Sequence, residues 1–388
     1  MVASREDMIR SMRRPSLLQR LTTGDWVWAA LVVLATAATY WVLWEAMNVY
    51  EVVITAFTAG FMIGIGWHWP GAKLYMGLVC AASLLAISRY PELASAQSDF
   101  FLKYLLSSQS AIMWMSALFP AATVVYGAAL FTGNDFTARV ASRLTWIAAG
   151  AGLVGLLVRW HETHLYEGGI GYIPVSNLYE VFVLFAVITA LIYLYYEAAY
   201  RARSMGFFVL LVISASIGFL LWYHFDRQAY QIEPLVPALN SYWMKIHVPT
   251  NFIGYGCFAI AAMLGVAYLI RDRVPDASPW AARLPTLKQI DDVSYRAIAL
   301  GFAFFTVATI LGALWAAEAW GAYWSWDPKE SWALIVWLNY AGWLHLRYTK
   351  GLRGRFMAWW AIIGLFVTTF AFLGVNMFLS GLHSYGEL

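Results

Sequence analysis

The chain alternates long apolar runs with short polar breaks, and eleven of the runs are long enough to cross a membrane. A transmembrane α-helix needs about 20 mostly apolar residues, within a range of about 17–25. The pattern therefore predicts an all-α, polytopic integral membrane protein with about eleven transmembrane helices. Their approximate bounds are 25–47, 51–68, 73–89, 110–132, 144–161, 178–197, 206–224, 250–270, 295–317, 330–347 and 356–380. The second and third runs are separated by a very short turn, so they also fit a re-entrant pair.

Composition agrees with this fold class. Of the 388 residues, 61% are hydrophobic and 12% are charged, and the mean hydropathy is +0.62. Soluble domains are about 45–50% apolar and about 25% charged. The net charge of +3 is small and gives no support to a nucleic-acid partner. Cys80 and Cys257 both lie inside apolar runs, so we expect neither a disulfide framework nor a C-x-x-C-H haem attachment site.

The basic residues predict the orientation, because short cytoplasmic loops collect Lys and Arg. With the N-terminus inside and the C-terminus outside, the cytoplasmic side carries most of the 25 basic residues. The chain then divides into a retained cytoplasmic tail at 1–24, a helix group at 25–161 and a second region at 162–388. Six basic residues fall outside, namely Arg89, Lys103, Arg159, Arg227, Lys245 and Lys329.

Two connections on the predicted outer side carry apolar residues at helical spacing. Asp99–Ser110 places Phe100, Phe101, Tyr104 and Leu105 on one face. The segment Pro234–His247 does the same with Leu235, Leu239, Trp243 and Ile246. Both segments are predicted to form helices in the plane of the membrane interface.

A tryptophan-rich loop separates the ninth and tenth runs, and it reads W-A-A-E-A-W-G-A-Y-W-S-W-D-P-K-E-S-W from Trp315 to Trp332. A belt at the membrane interface also uses Trp and Tyr, but this density of rings, with Gly321 allowing close backbone approach, predicts an aromatic surface for a ligand. Asp327 is the expected N-cap of the next helix, with Pro328 in its first turn and Glu330 completing a capping box. The rings are Trp315, Trp320, Tyr323, Trp324, Trp326 and Trp332.

The seven histidines are informative because an ionisable residue in or against a membrane is costly. His247 and His383 fall at helix ends on the same predicted side as the tryptophan-rich loop. Haem is a flat apolar disc whose iron accepts imidazole, so this pair predicts axial haem ligands. His345, near the inner end of the tenth run, fits either a ligand or a residue that reaches the interface. His161 and His164 could bind a metal together, but a polar cluster at the membrane interface is the better interpretation, because further zinc ligands are missing from the pattern. His68 and His224 are not assigned a role.

The loop resembles the tryptophan-rich WWD signature of the CcsA family, the larger membrane component of the system II cytochrome c synthase, also called CcsB or ResC. Ala317 and Ser331 are mild departures from the pattern. P-A-L-N-S-Y-W-M-K-I-H-V, from Pro237 to Val248, and P-V-S-N-L-Y-E, from Pro174 to Glu180, resemble two further family segments. Pro249, directly after the first of them, is another departure.

The resemblance implies a haem-handling region at 162–388 with a WWD loop at 315–332. In that family, haem b is a substrate in transit from the cytoplasm, which implies a passage at His345 and axial ligation by His247 and His383. Thiols of a C-x-x-C-H sequence on apocytochrome c then form thioethers with the haem vinyls. The remaining implied haem-binding residues are Trp320, Gly321, Tyr323, Trp324, Trp326, Asp327, Glu330 and Trp332.

The same resemblance implies partners and a location. The partners are a CcsB/ResB-like membrane subunit, apocytochrome c, thiol-reducing proteins and membrane lipid. The location is the bacterial inner membrane, with the active face outside. Lys329, Arg159 and Lys245 are candidates for contacting the haem propionates.

Two other classes of function remain open from the sequence. A b-type membrane cytochrome for electron transfer places its ligand histidines inside packed helices, whereas His247 and His383 are predicted beyond helix ends. A solute transporter usually shows inverted half-repeats or several charges within the membrane, and the sequence shows neither.

Overall fold

The structure, a computed structural model, describes residues 17–166 and 171–381 and is all-helical within them. Eleven helices of fifteen or more residues occur in the described chain, and each predicted apolar run forms one of them. The helices are α1 (Thr23–Leu43), α2 (Val49–His68), α3 (Pro70–Ile87), α4 (Ser108–Thr132), α5 (Asp135–Leu165), α6 (Leu178–Tyr200), α7 (Gly206–Arg227), α8 (Tyr242–Arg271), α9 (Leu287–Trp320), α10 (Pro328–Thr349) and α11 (Arg355–Thr369).

Ten of the helices in the described residues are long and apolar enough to cross a membrane, which confirms a polytopic fold. The exception is α10, which carries Lys329, Glu330 and Arg347 along 22 residues. Its membrane span, and with it the count of eleven, stays a prediction. The turn between α2 and α3 is as tight as predicted, because α2 ends at His68 and α3 begins at Pro70. Since each of these two helices reaches the length of a span by itself, two crossings are favoured over a re-entrant pair.

The chain divides into two compact units, Met1–Leu78 and Val79–Leu388. In the first unit, indole N–H groups link α1 to α2. Trp28 donates to the main-chain oxygen of Met62 at 3.0 Å, and Trp67 donates to that of Asp25 at 3.1 Å. The carboxylate of Asp25 forms an ion pair with Lys73. These contacts join α1, α2 and the start of α3.

In the second unit, α8 packs against α6, α9 and α11, while α4 packs against α5 and α7. Buried carboxylates join the helix ends. At one end, Glu197 of α6 accepts hydrogen bonds from Tyr126 and Tyr193, each at 2.5 Å, and from Ser142 at 2.6 Å. These four residues fix α4, α5 and α6 together.

The opposite ends of α4 and α5 are joined in the same way. Glu162 accepts a hydrogen bond from the Tyr90 hydroxyl at 2.5 Å and from the main-chain N–H of Ser108 at 3.0 Å. Because the carboxylate is buried, these donors replace the water that it loses. The start of α4 is therefore held against the end of α5.

Of the two segments predicted to form interfacial helices, the first contains a short helical turn and the second does not form a separate helix. In the first, Leu102–Leu106 forms a π-helical turn with Phe100, Phe101, Tyr104 and Leu105 exposed, so a short helical segment is confirmed. Asp99 accepts from the N–H of Leu102 at 2.9 Å, which, together with Arg89, lowers the pKa of Asp99.

The second prediction, a separate helix over Pro234–His247, is wrong. Only Pro237–Leu239 forms a short 3₁₀ turn, and Trp243, Ile246 and His247 belong to the first turns of α8. The Ser241 hydroxyl accepts from the N–H of Trp243 at 3.2 Å and so caps α8 at this earlier point. The helix continues through Pro249.

Candidate functional site

The tryptophan-rich loop is held against the first turn of α10. Asp327 is the N-cap, its side chain accepting from the N–H of Lys329 at 2.9 Å, and the predicted capping box with Glu330 is present. The carboxylate of Glu330 also accepts from the N–H of Ser325 at 2.7 Å. This buried carboxylate therefore fixes both the loop and the start of the helix.

Two backbone conformations in the left-handed region shape the loop. Gly321 ends α9 with φ of 80°, where glycine carries no steric penalty. Trp326 has φ of 59°, which is unfavourable for a residue with a side chain. The Trp326 ring is 70% exposed and meets the Trp324 ring edge-on at 5.9 Å. The two rings therefore lie nearly perpendicular to each other.

A cavity of about 270 Å³ lies beside this loop. It is bounded by α8, α9, α10, the segment after α11 and residues 175–178. The predicted haem-binding residues that line it are His247, Trp320, Tyr323, Trp324 and Glu330, and Trp315 of the same loop is with them. The structure therefore brings His247 and the loop to one place, although they are distant in sequence.

The orientation of His247 is fixed by α9. Its Nδ1 atom lies 2.8 Å from the main-chain oxygen of Ala308, and its ring meets Trp315 edge-on at 5.7 Å. The ring also lies over Gly312, where an added Cβ would stand 2.8 Å from Cε1. A carbonyl oxygen can only accept, so Nδ1 carries the proton and, in the neutral imidazole, the lone pair is on Nε2.

Other predicted residues lie elsewhere. Trp326 and Trp332 do not line the cavity, and the Trp332 ring instead packs against Phe370 at 4.3 Å. His345 is exposed near the far end of α10. His383 lies outside the described residues.

Several residues that line the cavity or hold its histidine were not identified from the sequence. Ala308 and Gly312 hold His247, and the aromatic wall includes Tyr255 and Phe372. For Ala308 and Gly312 the sequence does contain a pattern that could have been used. Gly301, Ala308 and Gly312 are small residues at helical spacing on one face of α9, which is typical of a close helix contact. The wall residues show no such signal, since aromatic residues are frequent throughout this chain.

The three candidate cations differ in their surroundings. Arg159 is buried and donates to Glu180 at 2.7 Å and to the main-chain oxygens of Tyr230 and Gln231 at 2.7 and 3.1 Å. Of Arg159, Lys245 and Lys329, only Lys329 lines the cavity.

The ammonium of Lys329 contacts a distortion in the last helix. Phe370–Gly374 forms a π-helical turn directly after α11. Lys329 donates to the main-chain oxygens of Ala371 at 3.2 Å and Phe372 at 2.7 Å in this turn. Wider turns of this kind often occur at functional sites.

The remaining histidines form no metal centre within residues 17–166 and 171–381, where no group of three potential ligands occurs. His161 contacts Tyr90 edge-on at 6.1 Å, in keeping with a polar cluster near the end of α5. His224 is buried and stacks on Tyr230 at 4.4 Å. His68 makes a contact with the main-chain oxygen of Gly64 at 2.8 Å.

Comparisons with known proteins match the part of the chain that contains this cavity. A family model described as "Cytochrome C assembly protein" matches residues 175–383, which include His247 and the whole tryptophan-rich loop. The cytochrome c biogenesis protein CcsA of Chlamydomonas reinhardtii is 39% identical over 237 residues, covering 60% of this chain and 64% of that protein. The protein of the same name from Synechococcus sp. (strain CC9902) is 36% identical over 262 residues, covering 60% of this chain and 81% of that protein.

A solved structure shares the fold. The chain described as "Cytochrome c Heme Lyase CcmF" aligns with a TM-score of 0.51 at 19% identity, over 70% of this chain and 49% of that one. This chain thus spans about half the length of that protein, and the likeness concerns the fold alone. The family model covers more than half of the present sequence, and the Synechococcus relative is matched over most of its length. The chain therefore belongs to the CcsA family of cytochrome c assembly proteins.

Proposed function

We propose that this protein acts in cytochrome c maturation as the haem-handling subunit of a cytochrome c synthase. It moves haem across a bacterial inner membrane and presents it on the outer face for attachment to apocytochrome c. The observation that carries the proposal is the position of His247, whose imidazole lines an aromatic cavity beside the tryptophan-rich loop.

The cavity suits a flat apolar ligand with a metal at its centre. Trp320 and Trp324 offer ring surfaces, and the hydrogen bond to Ala308 leaves the lone pair of His247 on Nε2. Histidine ligands commonly donate their second ring N–H to a carbonyl or carboxylate in this way. The volume of about 270 Å³ is slightly below the ~300–1,000 Å³ usual for ligand pockets. A porphyrin would therefore be only partly enclosed by this cavity.

His383 is the proposed second axial ligand. Two imidazoles close both axial positions of the iron, and the histidine of the incoming C-x-x-C-H sequence displaces one of them for release. Each cysteine S–H then adds across one vinyl group, with sulfur bonding one vinyl carbon and the hydrogen passing to the other. No electrons are gained or lost overall. The protein contributes mainly positioning, because vinyl and thiol must meet in a defined orientation.

The remaining candidate residues are assigned to the same path of haem from the cytoplasm to the outer face. His345 is exposed on α10, which suits a ligand site completed by a CcsB/ResB-like membrane subunit. Of the three candidate cations for a propionate, Lys329 lines the cavity, and its ammonium also donates to the main-chain oxygens of Ala371 and Phe372. Arg159 is already bound to Glu180 and two main-chain oxygens. Haem b is the substrate in transit, and reduced thiols are supplied by other proteins.

An absorption spectrum of the purified complex with its membrane partner tests the proposal. The wild type should show a reduced low-spin haem spectrum. That spectrum should be lost in the His247→Ala, His383→Ala double variant and restored by added imidazole. His68→Ala is a matched control, because His68 lies on α2, in the other unit. A wild-type complex without haem, or a spectrum indifferent to both substitutions, would exclude the proposed site and favour a transporter.

The same variants separate haem delivery from electron transfer. Loss of cytochrome c maturation in a His247→Ala strain, with haem still reaching the protein, supports the synthase. Normal maturation with impaired respiration would instead identify a b-type electron carrier.

A further inference from the structure

A second cavity lies where α4 begins and α7 ends. It has a volume of about 420 Å³ and is lined by the turn Leu102–Leu106, the first two turns of α4 and His224 in the last turn of α7. Among the described residues, none lines both this cavity and the one beside the tryptophan-rich loop. Because α4 and α7 are each long and apolar enough to span a membrane, their ends lie at the depth of the lipid headgroups.

His224 is held in this cavity by aromatic rings. The residue is 8% exposed, and its ring stacks on Tyr230 at 4.4 Å and meets the Phe225 ring edge-on at 4.7 Å. Its Nδ1 atom is enclosed and has no hydrogen-bond partner within residues 17–166 and 171–381. Only Nε2 can therefore meet a ligand from the cavity. A neutral imidazole carries one N–H, and on Nε2 this group provides a donor to the cavity.

The first turn of α4 offers a second donor. The first four N–H groups of a helix have no partner within the helix. Three of these groups in α4 have other acceptors, namely those of Ser108, Ser110 and Ala111. In the part of the chain that the structure describes, the main-chain N–H of Gln109 has none, and Gln109 lines the cavity. A free N–H at the positive end of a helix dipole favours an anion.

Lys103 adds a positive charge to the same cavity. Its ammonium lies 5.6 Å from the centroid of the Tyr104 ring and has no carboxylate partner among the residues described. Of the described residues that line the cavity, none is Asp or Glu. One cation and two N–H donors therefore meet here without an opposing negative charge. A phosphate group suits this set, because its oxygens accept from ammonium and N–H groups together.

The surface around the cavity indicates that the phosphate belongs to a lipid. Tyr104 and Trp114 line the cavity and are exposed, and the exposed Phe100 ring lies 5.2 Å from that of Tyr104. Tyr and Trp collect where a membrane meets water, and the apolar rings can pack against acyl chains. Since no carboxylate lines the cavity, the ammonium of a choline or ethanolamine headgroup would find no counter-ion there. The site therefore favours a headgroup without a cation.

We propose that Lys103, His224 and the N–H of Gln109 bind the phosphate of an anionic phospholipid that has no ammonium group. Its acyl chains lie along Tyr104 and Trp114. The bound lipid joins the end of α7 to the start of α4 at one membrane leaflet. This site does not depend on the proposed haem function.

Native mass spectrometry of the purified complex, titrated with phosphatidylglycerol, tests the proposal because it resolves each bound lipid. Lys103→Met keeps the length of the side chain and removes its charge. We expect the affinity for the first bound lipid to fall about 5-fold, the contribution of one basic residue near an anionic headgroup. His224→Phe keeps a ring beside Tyr230 and removes the donor, so it should also weaken binding about 5-fold. Phosphatidylcholine with the same acyl chains should bind the wild type more weakly.

Matched variants complete the design. Lys103→Arg should keep most of the affinity, since a guanidinium also donates to phosphate. Lys350→Met makes the same chemical change at an exposed residue that does not line this cavity, and it should bind lipid like the wild type. If His224→Phe fails to accumulate, Lys103→Glu provides a second test at an exposed residue. Its reversed charge should lower the affinity further than Lys103→Met does.

The outcomes separate this site from its alternatives. Equal affinity of the wild type, Lys103→Met and Lys103→Glu for phosphatidylglycerol excludes the site. Equal binding of phosphatidylglycerol and phosphatidylcholine by the wild type overturns the preference for an anionic headgroup. Displacement of the lipid by an equal concentration of inorganic phosphate would identify a site for free phosphate instead. The haem spectra of the Lys103 variants should match the wild type, so a wild-type complex without haem overturns the proposed function and leaves this inference standing.

Discussion

The Nδ1 atom of His247 lies 2.8 Å from the main-chain oxygen of Ala308, and this contact joins the first turns of α8 to α9. Its consequence is chemical as well as structural. The oxygen holds the proton on Nδ1, so the lone pair is on Nε2 and the ring cannot turn without losing its acceptor. A histidine oriented by the backbone of a packed helix has the rigidity that a metal ligand requires.

Gly312 should be sensitive to the smallest substitution. In Gly312→Ala the new Cβ would stand 2.8 Å from Cε1 of His247, which forces the imidazole away from Ala308. We expect a lower haem-to-protein ratio and a weaker low-spin spectrum, measured by absorption of the purified complex. Gly218→Ala is the control, because a Cβ there meets nothing within 4 Å. Equal spectra for the two variants would show that the His247 position does not depend on Gly312.

Trp324 and Trp326 should differ although they are two residues apart. The Trp324 ring lines the cavity, whereas the Trp326 ring is 70% exposed and does not. Trp324→Ala should therefore reduce haem binding more than Trp326→Ala does, because it removes ring surface from the cavity wall. Haem content per purified protein measures both. A larger loss in Trp326→Ala would place the ligand on the outer side of the loop instead.

Glu330 should hold the tryptophan-rich loop in its folded conformation. Its carboxylate accepts from the N–H groups of Ser325 and Asp327, at 2.7 and 3.2 Å. Glu330→Ala leaves these donors without their acceptor, at a cost of about 1–3 kcal/mol. We expect faster protease cleavage between Gly321 and Asp327 and a lower haem content. The exposed Glu92 provides the control variant Glu92→Ala, which should change neither measurement.

The buried pair of Arg159 and Glu180 should determine stability rather than haem chemistry. Arg159→Met leaves the Glu180 carboxylate buried without its cation, which typically costs about 3–5 kcal/mol. The thermal midpoint of the protein in detergent should fall clearly. Arg139→Met breaks a solvent-exposed pair with Asp135 and should cost only about 0–1 kcal/mol. Similar midpoints for the two variants would contradict this assignment.

Much of the architecture was predictable because it depends on local properties. Each of the eleven apolar runs forms a helix, since length and hydrophobicity decide helix formation in a membrane. The N-cap at Asp327 and the capping box with Glu330 were predicted for the same reason, because the interacting groups lie within one turn. The separate helix over Pro234–His247 was wrong because the cap at Ser241 lets α8 begin earlier than the apolar pattern suggests.

The sequence by itself determined the fold class, the family resemblance and the identity of several cavity residues, including His247, Trp320 and Trp324. Only the tertiary structure decided which rings face the cavity and what holds the histidine. Trp326 does not line the cavity and has a backbone in the left-handed region, and Ala308 accepts from His247 across 61 residues of chain. Such contacts depend on how helices rotate and approach one another, and this is set by the packing of the whole helical unit rather than by any local pattern.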